Sequence, residues 1–148
     1  MPFYITSKIP LLLFAGLLTV QLNASPGTFY VTDYGAVPGD DAADTEAIQS
    51  AIDASHSNGG GHVIVPPGDY EIGPLFLTSN LTFEIQAGAT LHCTDDVGAF
   101  YKTGIAPTPE EASNWKGLHS DYQLINGKDL KNVTLTGKGT IHGHGSTI

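Results

Sequence analysis

The sequence predicts an all-β fold, the first few coils of a parallel β-helix plugged at one end by a single amino-terminal α-helix. Three observations carry this. One acid-led helical segment, Asp44–His56, passes through Gly59-Gly60-Gly61 into a run of very short strands. Pro, Gly, Ser or Asn bounds each of those strands, so every one is cut off after a few residues. Two stretches also repeat: Asn80-Leu81-Thr82-Phe83 aligns with Asn132-Val133-Thr134-Leu135, and Ala87-Gly88-Ala89-Thr90-Leu91 aligns loosely with Gly137-Lys138-Gly139-Thr140-Ile141. Weak self-similarity of this kind marks a coiled array, in which a turn of chain buries its apolar face only by stacking on the next.

The elements follow in order. Phe29-Tyr30-Val31 is expected as a first strand, broken by Gly35 and Pro38-Gly39. In the helix, Ala47, Ile48, Ala51 and Ile52 form one apolar stripe. Asp44 or Thr45 is expected to cap it and Glu46 to complement the positive end of its dipole, while His56 and Asn58-Gly59 suit its other end. Strands are expected at His62–Val65, Tyr70–Ile72, Leu75–Thr78, Leu81–Gln86, Thr90–His92, Tyr122–Ile125 and Val133–Thr136. Alternation puts Leu81, Phe83 and Ile85 on one inward face, each contributing roughly 1.5–3 kcal/mol when fully buried. The irregular stretch 97–117, with Pro107, Pro109 and Glu110-Glu111, is expected as a loop thrown out from a coil.

Residues 1–24 read as an export signal. Lys8 precedes the apolar run Leu11–Val20, and small residues follow around Asn23-Ala24-Ser25, with cleavage expected after Ala24. A bilayer span needs roughly 20 apolar residues, so no membrane span is expected in the mature chain, 25–148. Secretion to the extracellular space follows.

Charge excludes some partners. The chain carries a formal net charge of −9 and no Arg. Between Ser25 and Tyr101 there are eleven acidic residues and no Lys. Such a surface repels nucleic acid and anionic membrane. Cys93 is the only cysteine, so no intrachain disulfide can form, and it is expected as a small buried apolar residue.

Several segments together resemble a known family. The order Val31-Thr32-Asp33-Tyr34-Gly35-Ala36, then Asp41-x-x-Asp44-Thr45-x-Ala47-Ile48-Gln49-x-Ala51-Ile52, then Gly59-Gly60-Gly61-x-Val63-x-Val65-Pro66-x-Gly68-x-Tyr70 resembles the amino-terminal part of pectin-degrading right-handed β-helix proteins. Gly73-Pro74-Leu75-x-Leu77-x-Ser79-Asn80-Leu81-Thr82, Ala87-Gly88-Ala89-Thr90-Leu91, Leu124-Ile125 and the stretch Asn132-Val133-Thr134-Leu135-Thr136-Gly137-x-Gly139-Thr140-Ile141-x-Gly143-x-Gly145 narrow the resemblance to the polygalacturonase family, glycoside hydrolase family 28. The resemblance implies a right-handed helix and a secreted enzyme, monomeric when full length. It also implies hydrolysis of α-1,4 bonds of polygalacturonate or a related pectic polysaccharide, with inversion and with no metal or other cofactor. A polysaccharide lyase, a rhamnogalacturonan-acting relative and a non-catalytic polysaccharide-binding β-helix stay open as alternatives.

Inverting hydrolysis needs an acid and a base carboxyl about 6.5–9.5 Å apart. In the family these aspartates, and the basic residues that grip the uronate, lie on coils beyond the Gly-Thr-Ile-x-Gly stretch. No catalytic, cofactor or metal residue is therefore expected within this chain, and the chain alone is expected to be inactive. Four look-alikes receive blander readings. Gly143-His144-Gly145 mimics the family's Gly-His-Gly but falls in a turn position, and His142 with His144 lacks a third metal ligand. Asp95-Asp96 is expected as a solvated turn, and Asp40-Asp41-x-x-Asp44 as helix capping rather than a calcium cluster. Trp115 is expected to pack at a coil edge. Asn80 and Asn132 head the sequons Asn80-Leu81-Thr82 and Asn132-Val133-Thr134, so they either carry glycans or occupy the same turn in successive coils as a ladder. The terminal Ser146-Thr147-Ile148 is expected to leave an open edge, with marginal stability or poor solubility in isolation.

Overall fold

The computed structural model describes residues 26–96, 99–100 and 123–143. The expected export signal, Trp115, nearly all of the 97–117 excursion and Ser146-Thr147-Ile148 lie outside those residues. Strand β1, Gly27–Tyr30, is followed by a 3-10 turn, Val31–Tyr34, and by helix α1, Thr45–Ser57. Then come β2 Gly61–Val65, β3 Gly68–Ile72, β4 Leu75–Phe76, β5 Leu81–Ile85, β6 Ala89–Cys93, β7 Ile125–Asn126, β8 Val133–Gly137 and β9 Thr140–His142.

These strands form three sheets, ordered β1-β2-β5-β8, β3-β6-β9 and β4-β7. Every pairing is parallel. The chain visits the three sheets in rotation, so each circuit is one coil: β2-β3-β4, then β5-β6-β7, then β8-β9. This is the arrangement of a right-handed β-helix with one amino-terminal helix. Register fixes the inward columns. Leu81 pairs with Val133, Val63 with Phe83 and Phe83 with Leu135, while Tyr70 pairs with Leu91 and Leu91 with Ile141. The two repeats seen in the sequence are therefore stacked rungs of a single core, and Val63, Phe83, Tyr70 and Leu91 are fully buried within it.

Helix α1 lays Ile48, Ala51 and Ile52 over the end of this column, all fully buried. It packs against β1, β2 and β4. Its carboxyl end closes on glycine: Gly59 has φ 87 and Gly60 φ 123, and their amides donate to the carbonyls of His56 and Ser55. Both conformations are left-handed and strained for other residues.

The structure departs from the expected local picture in four places. Val31 does not extend the first strand; it opens the 3-10 turn and is fully buried, because the Ala36 amide donates back to its carbonyl and Gly35 reverses the chain at φ 101. Asp44 occupies the N-cap position, but its side chain does not cap the helix. Its Oδ1 accepts from the Val37 amide at 2.8 Å, and Thr45 Oγ1 accepts from the Gly73 amide at 2.7 Å, so both side chains tie loops to the helix start. The expected strand over Leu75–Thr78 shortens to Leu75–Phe76; of the strand expected over Tyr122–Ile125, Tyr122 lies outside the described residues, and the described strand is Ile125–Asn126, paired with Leu75–Phe76. Cys93 is half-buried rather than buried, since β9 ends at His142 and the next residue, Gly143, has no side chain to cover it.

Candidate functional site

Alternation along each strand sends every second side chain outward, so three outer faces run along the helix axis. On the β1-β2-β5-β8 face, Thr28, His62, Thr82 and Thr134 form one column, and Tyr30, Ile64, Glu84 and Thr136 the next. His62 Nε2 lies 2.8 Å from Glu84 Oε2, joining the two columns. Concavities of about 490 and 510 Å³ flank this pair. Thr28, His62, Asn80 and Thr82 line the first, and Glu84, Gln86, Thr136 and Lys138 the second.

On the β3-β6-β9 face the register stacks Glu71, His92 and His142 in one column, with Asp69, Thr90 and Thr140 beside it. His92 Nε2 contacts Asp69 Oδ1 at 3.3 Å. Thr94 Oγ1 donates to Glu71 Oε1 at 2.7 Å. The rings of His92 and His142 are 5.6 Å apart, centre to centre, and inclined by 60°. Reading the sequence missed this pairing, although the signal was present: extending the alignment of Leu91 with Ile141 by one residue sets His92 on His142.

The third face is smaller. A concavity of about 270 Å³ lies beside β4 and β7, lined by Phe76, Leu77, Gln123, Asn126, Lys128 and Leu130. Gln49 of α1 reaches this sheet from below. Its Nε2 donates to the Phe76 carbonyl at 3.0 Å and its Oε1 accepts from the Phe76 amide at 2.9 Å.

Of the residues singled out in the sequence, Asp95 and Asp96 lie exposed in a turn after β6, where the Asp96 amide donates to Thr94 Oγ1. Gly143 is described, whereas His144 and Gly145 lie outside the described residues. Asn80 and Asn132 adopt left-handed backbones, φ 60 and 56. They stack in register, with Asn132 Nδ2 donating to Asn80 Oδ1 at 2.9 Å. Asp40 Oδ1 accepts from the Ala42 amide, and Asp44 is 5% exposed. Burial pushes the Asp44 carboxyl above its ordinary range, a shift opposed by the Val37 amide and reinforced by Asp40. Tyr70, also buried, is pushed up by desolvation and by the charge of Asp44. Both groups are buried at the capped end, where Asp44 accepts from the Val37 amide and Tyr70 belongs to the core. Among the described residues no three His, Cys, Asp or Glu are arranged to hold an ion. No helix among them is long and apolar enough to cross a membrane.

A parallel coil of three sheets with a helical plug at one end defines the class, a parallel β-helix. The sequence profile of the family described as Rhamnogalacturonase A/epimerase, pectate lyase-like, matches residues 28–142, and the chain belongs to that family. It is 30% identical over 136 residues to the exo-poly-alpha-D-galacturonosidase of Dickeya chrysanthemi, covering 86% of this chain and 21% of that protein. It is 38% identical over 98 residues to mannuronan C5-epimerase AlgE6 of Azotobacter vinelandii, covering 59% of this chain and 11% of the epimerase. Among solved structures, the family 28 exopolygalacturonase of Yersinia enterocolitica superposes with a TM-score of 0.60 at 29% identity, covering 80% of this chain and 21% of that one. The chain thus spans about a fifth or less of the length of these relatives.

Proposed function

We propose that residues 25–148 form the cap and first coils of a secreted, pectin-degrading glycoside hydrolase. The reaction is inverting hydrolysis of α-1,4-galacturonosyl bonds, and this chain alone is inactive. The observation that carries the reading is the extent of the galacturonosidase match: it runs through 86% of this chain, helix plug and coils together, against 59% for the epimerase AlgE6. The inventory of groups supports the second half. The chain has no Arg, and Lys128, Lys131 and Lys138 are the only cations of that type among the described residues, a poor endowment for gripping a polyanion. In this reading these coils seal one end of the helix, and further coils of a longer protein would present an acid and a base across the sugar ring.

The epimerase likeness favours a second reading, in which the same scaffold abstracts a proton next to a uronate carboxylate, as a lyase or epimerase does. Products separate the two. A longer protein that contains these coils is incubated with polygalacturonate: new reducing ends without unsaturation are expected, with the inverted anomer formed first. Unsaturated products, or sugar inversion without chain cleavage, would overturn the hydrolase reading. The 148-residue chain assayed alone is expected to release no reducing ends, and turnover by it would refute the assignment of catalysis to later coils.

A further inference from the structure

We infer that His92 and His142 form a two-imidazole site for a borderline transition-metal ion, Zn²⁺ or Ni²⁺, which clamps β6 to β9 across adjacent coils. The inference is independent of the proposed reaction. Register is the first support: His92 and His142 are directly paired on parallel strands and both project from the same outer face. Spacing is the second. Two imidazole nitrogens bound at about 2.0–2.1 Å to a tetrahedral ion set their ring centres roughly 5 Å apart. The observed 5.6 Å is within a small side-chain adjustment of that value. The third support is Asp69, whose Oδ1 lies 3.3 Å from His92 Nε2. An ionised carboxylate only accepts, so this contact makes Nε2 the donor and leaves the lone pair of a neutral ring on Nδ1. A carboxylate behind a ligating histidine is the usual means of fixing its tautomer and orientation. Access is the fourth, since the His92 side chain is 39% exposed and an ion can reach it from solvent.

The pair supplies two protein ligands, because no larger cluster is assembled among the described residues. Water or a ligand oxygen completes the shell. Imidazole selects Zn²⁺, Ni²⁺ or Cu²⁺ over Ca²⁺, which takes six to eight oxygens.

The test is a calorimetric titration of the full chain with Zn²⁺ alone and with Ni²⁺ alone, alongside thermal unfolding with and without each ion. One saturable site is expected. At an ion concentration of about one hundred times Kd the folding equilibrium shifts about a hundredfold toward the native state. His92→Ala and His142→Gln are each expected to abolish both the uptake and the thermal shift while keeping the metal-free circular dichroism spectrum. Asp69→Asn is expected to weaken binding by roughly 10–100-fold, and His56→Ala, on α1, to leave it unchanged. Absence of saturable uptake, retention of the ion by His142→Gln, or competition by Ca²⁺ at equal concentration would each overturn the site.

Discussion

The first and last described coils have the same inward pattern and opposite fates. Val63 and Phe83 are fully buried, and Leu135, next in their column, is 49% exposed. Tyr70 and Leu91 are fully buried, whereas Ile141 above them is 40% exposed. Leu135 and Ile141 are aliphatic side chains in the same inward register as the buried Phe83 and Leu91 they stack on. The difference is the neighbour. In a solenoid, burial belongs to the contact between coils rather than to a coil alone.

The capped end shows what a neighbour must supply. Beneath the first coil each of the three sheets is closed by a different device. Strand β1 pairs with β2 from Gly27 to Tyr30. Under β3 the preceding loop bridges at Ala43 to Glu71, and the amides of Gly39 and Asp44 donate to the carbonyls of Asp69 and Glu71. Under β4 the side-chain amide of Gln49 presents one donor and one acceptor to Phe76, as a strand would. Helix α1 then covers the apolar column. Paired edges and a covered column together make the end compatible with water.

The largest test of this contrast is a pair of core truncations. Phe83→Ala is expected to cost about 3–5 kcal/mol, the loss of a buried ring between two rungs. Leu135→Ala, one rung further, is expected to cost no more than about 1 kcal/mol because half of its surface already meets solvent. Urea unfolding of each variant measures both. Equal costs would mean that β8 is covered as fully as β5.

Closure by Gln49 gives the next largest effect. Gln49→Ala leaves the amide and carbonyl of Phe76 without their partner, at a cost of roughly 1–3 kcal/mol. Amide exchange at Phe76 should accelerate with it, and slow exchange there would show that another group closes β4. A smaller effect is expected at the turn ladder. Asn132→Gly keeps the left-handed backbone and loses the bond to Asn80, costing about 0.5–1.5 kcal/mol. Asn132→Ala should cost more than Asn132→Gly, since it adds the strain of φ 56. Intact mass from a eukaryotic secretory host shows whether either sequon also carries a glycan.

How far the sequence could be read follows from the same distinction. Leu81–Ile85 was legible because alternation is written within the strand, and its stacking on Val133–Gly137 because the two copies align. Capping was less legible. Asp44 and Thr45 suit a helix start equally in one dimension, and only the loop carrying Val37 and the turn at Gly73 decide what their oxygens meet. Gln49 reads as an exposed helix residue until β4 is placed beside it. Its partner is 27 residues away, a separation that no local pattern encodes. The His92–His142 pair lay in an alignment that stopped one position short.

The smallest expected effect concerns Asp44 and separates burial from partnership at the capped end. Burial raises its carboxyl above the ordinary value of 3.8, although the Val37 amide pulls the other way. The folded state therefore holds this proton more tightly than the unfolded chain does. Its cost to stability is fully present above the folded value, fades as pH falls through it, and is gone below the unfolded value. Asp44→Asn keeps an oxygen for Val37 and removes the charge. The variant should gain on the native protein at neutral pH, and the advantage should shrink on acidification toward about pH 4. Thermal midpoints across that range read the difference directly. If the native protein gained on the variant as pH rose, the Val37 amide, rather than burial, would control Asp44, and a charge at the plugged end would stabilise the cap instead of straining it.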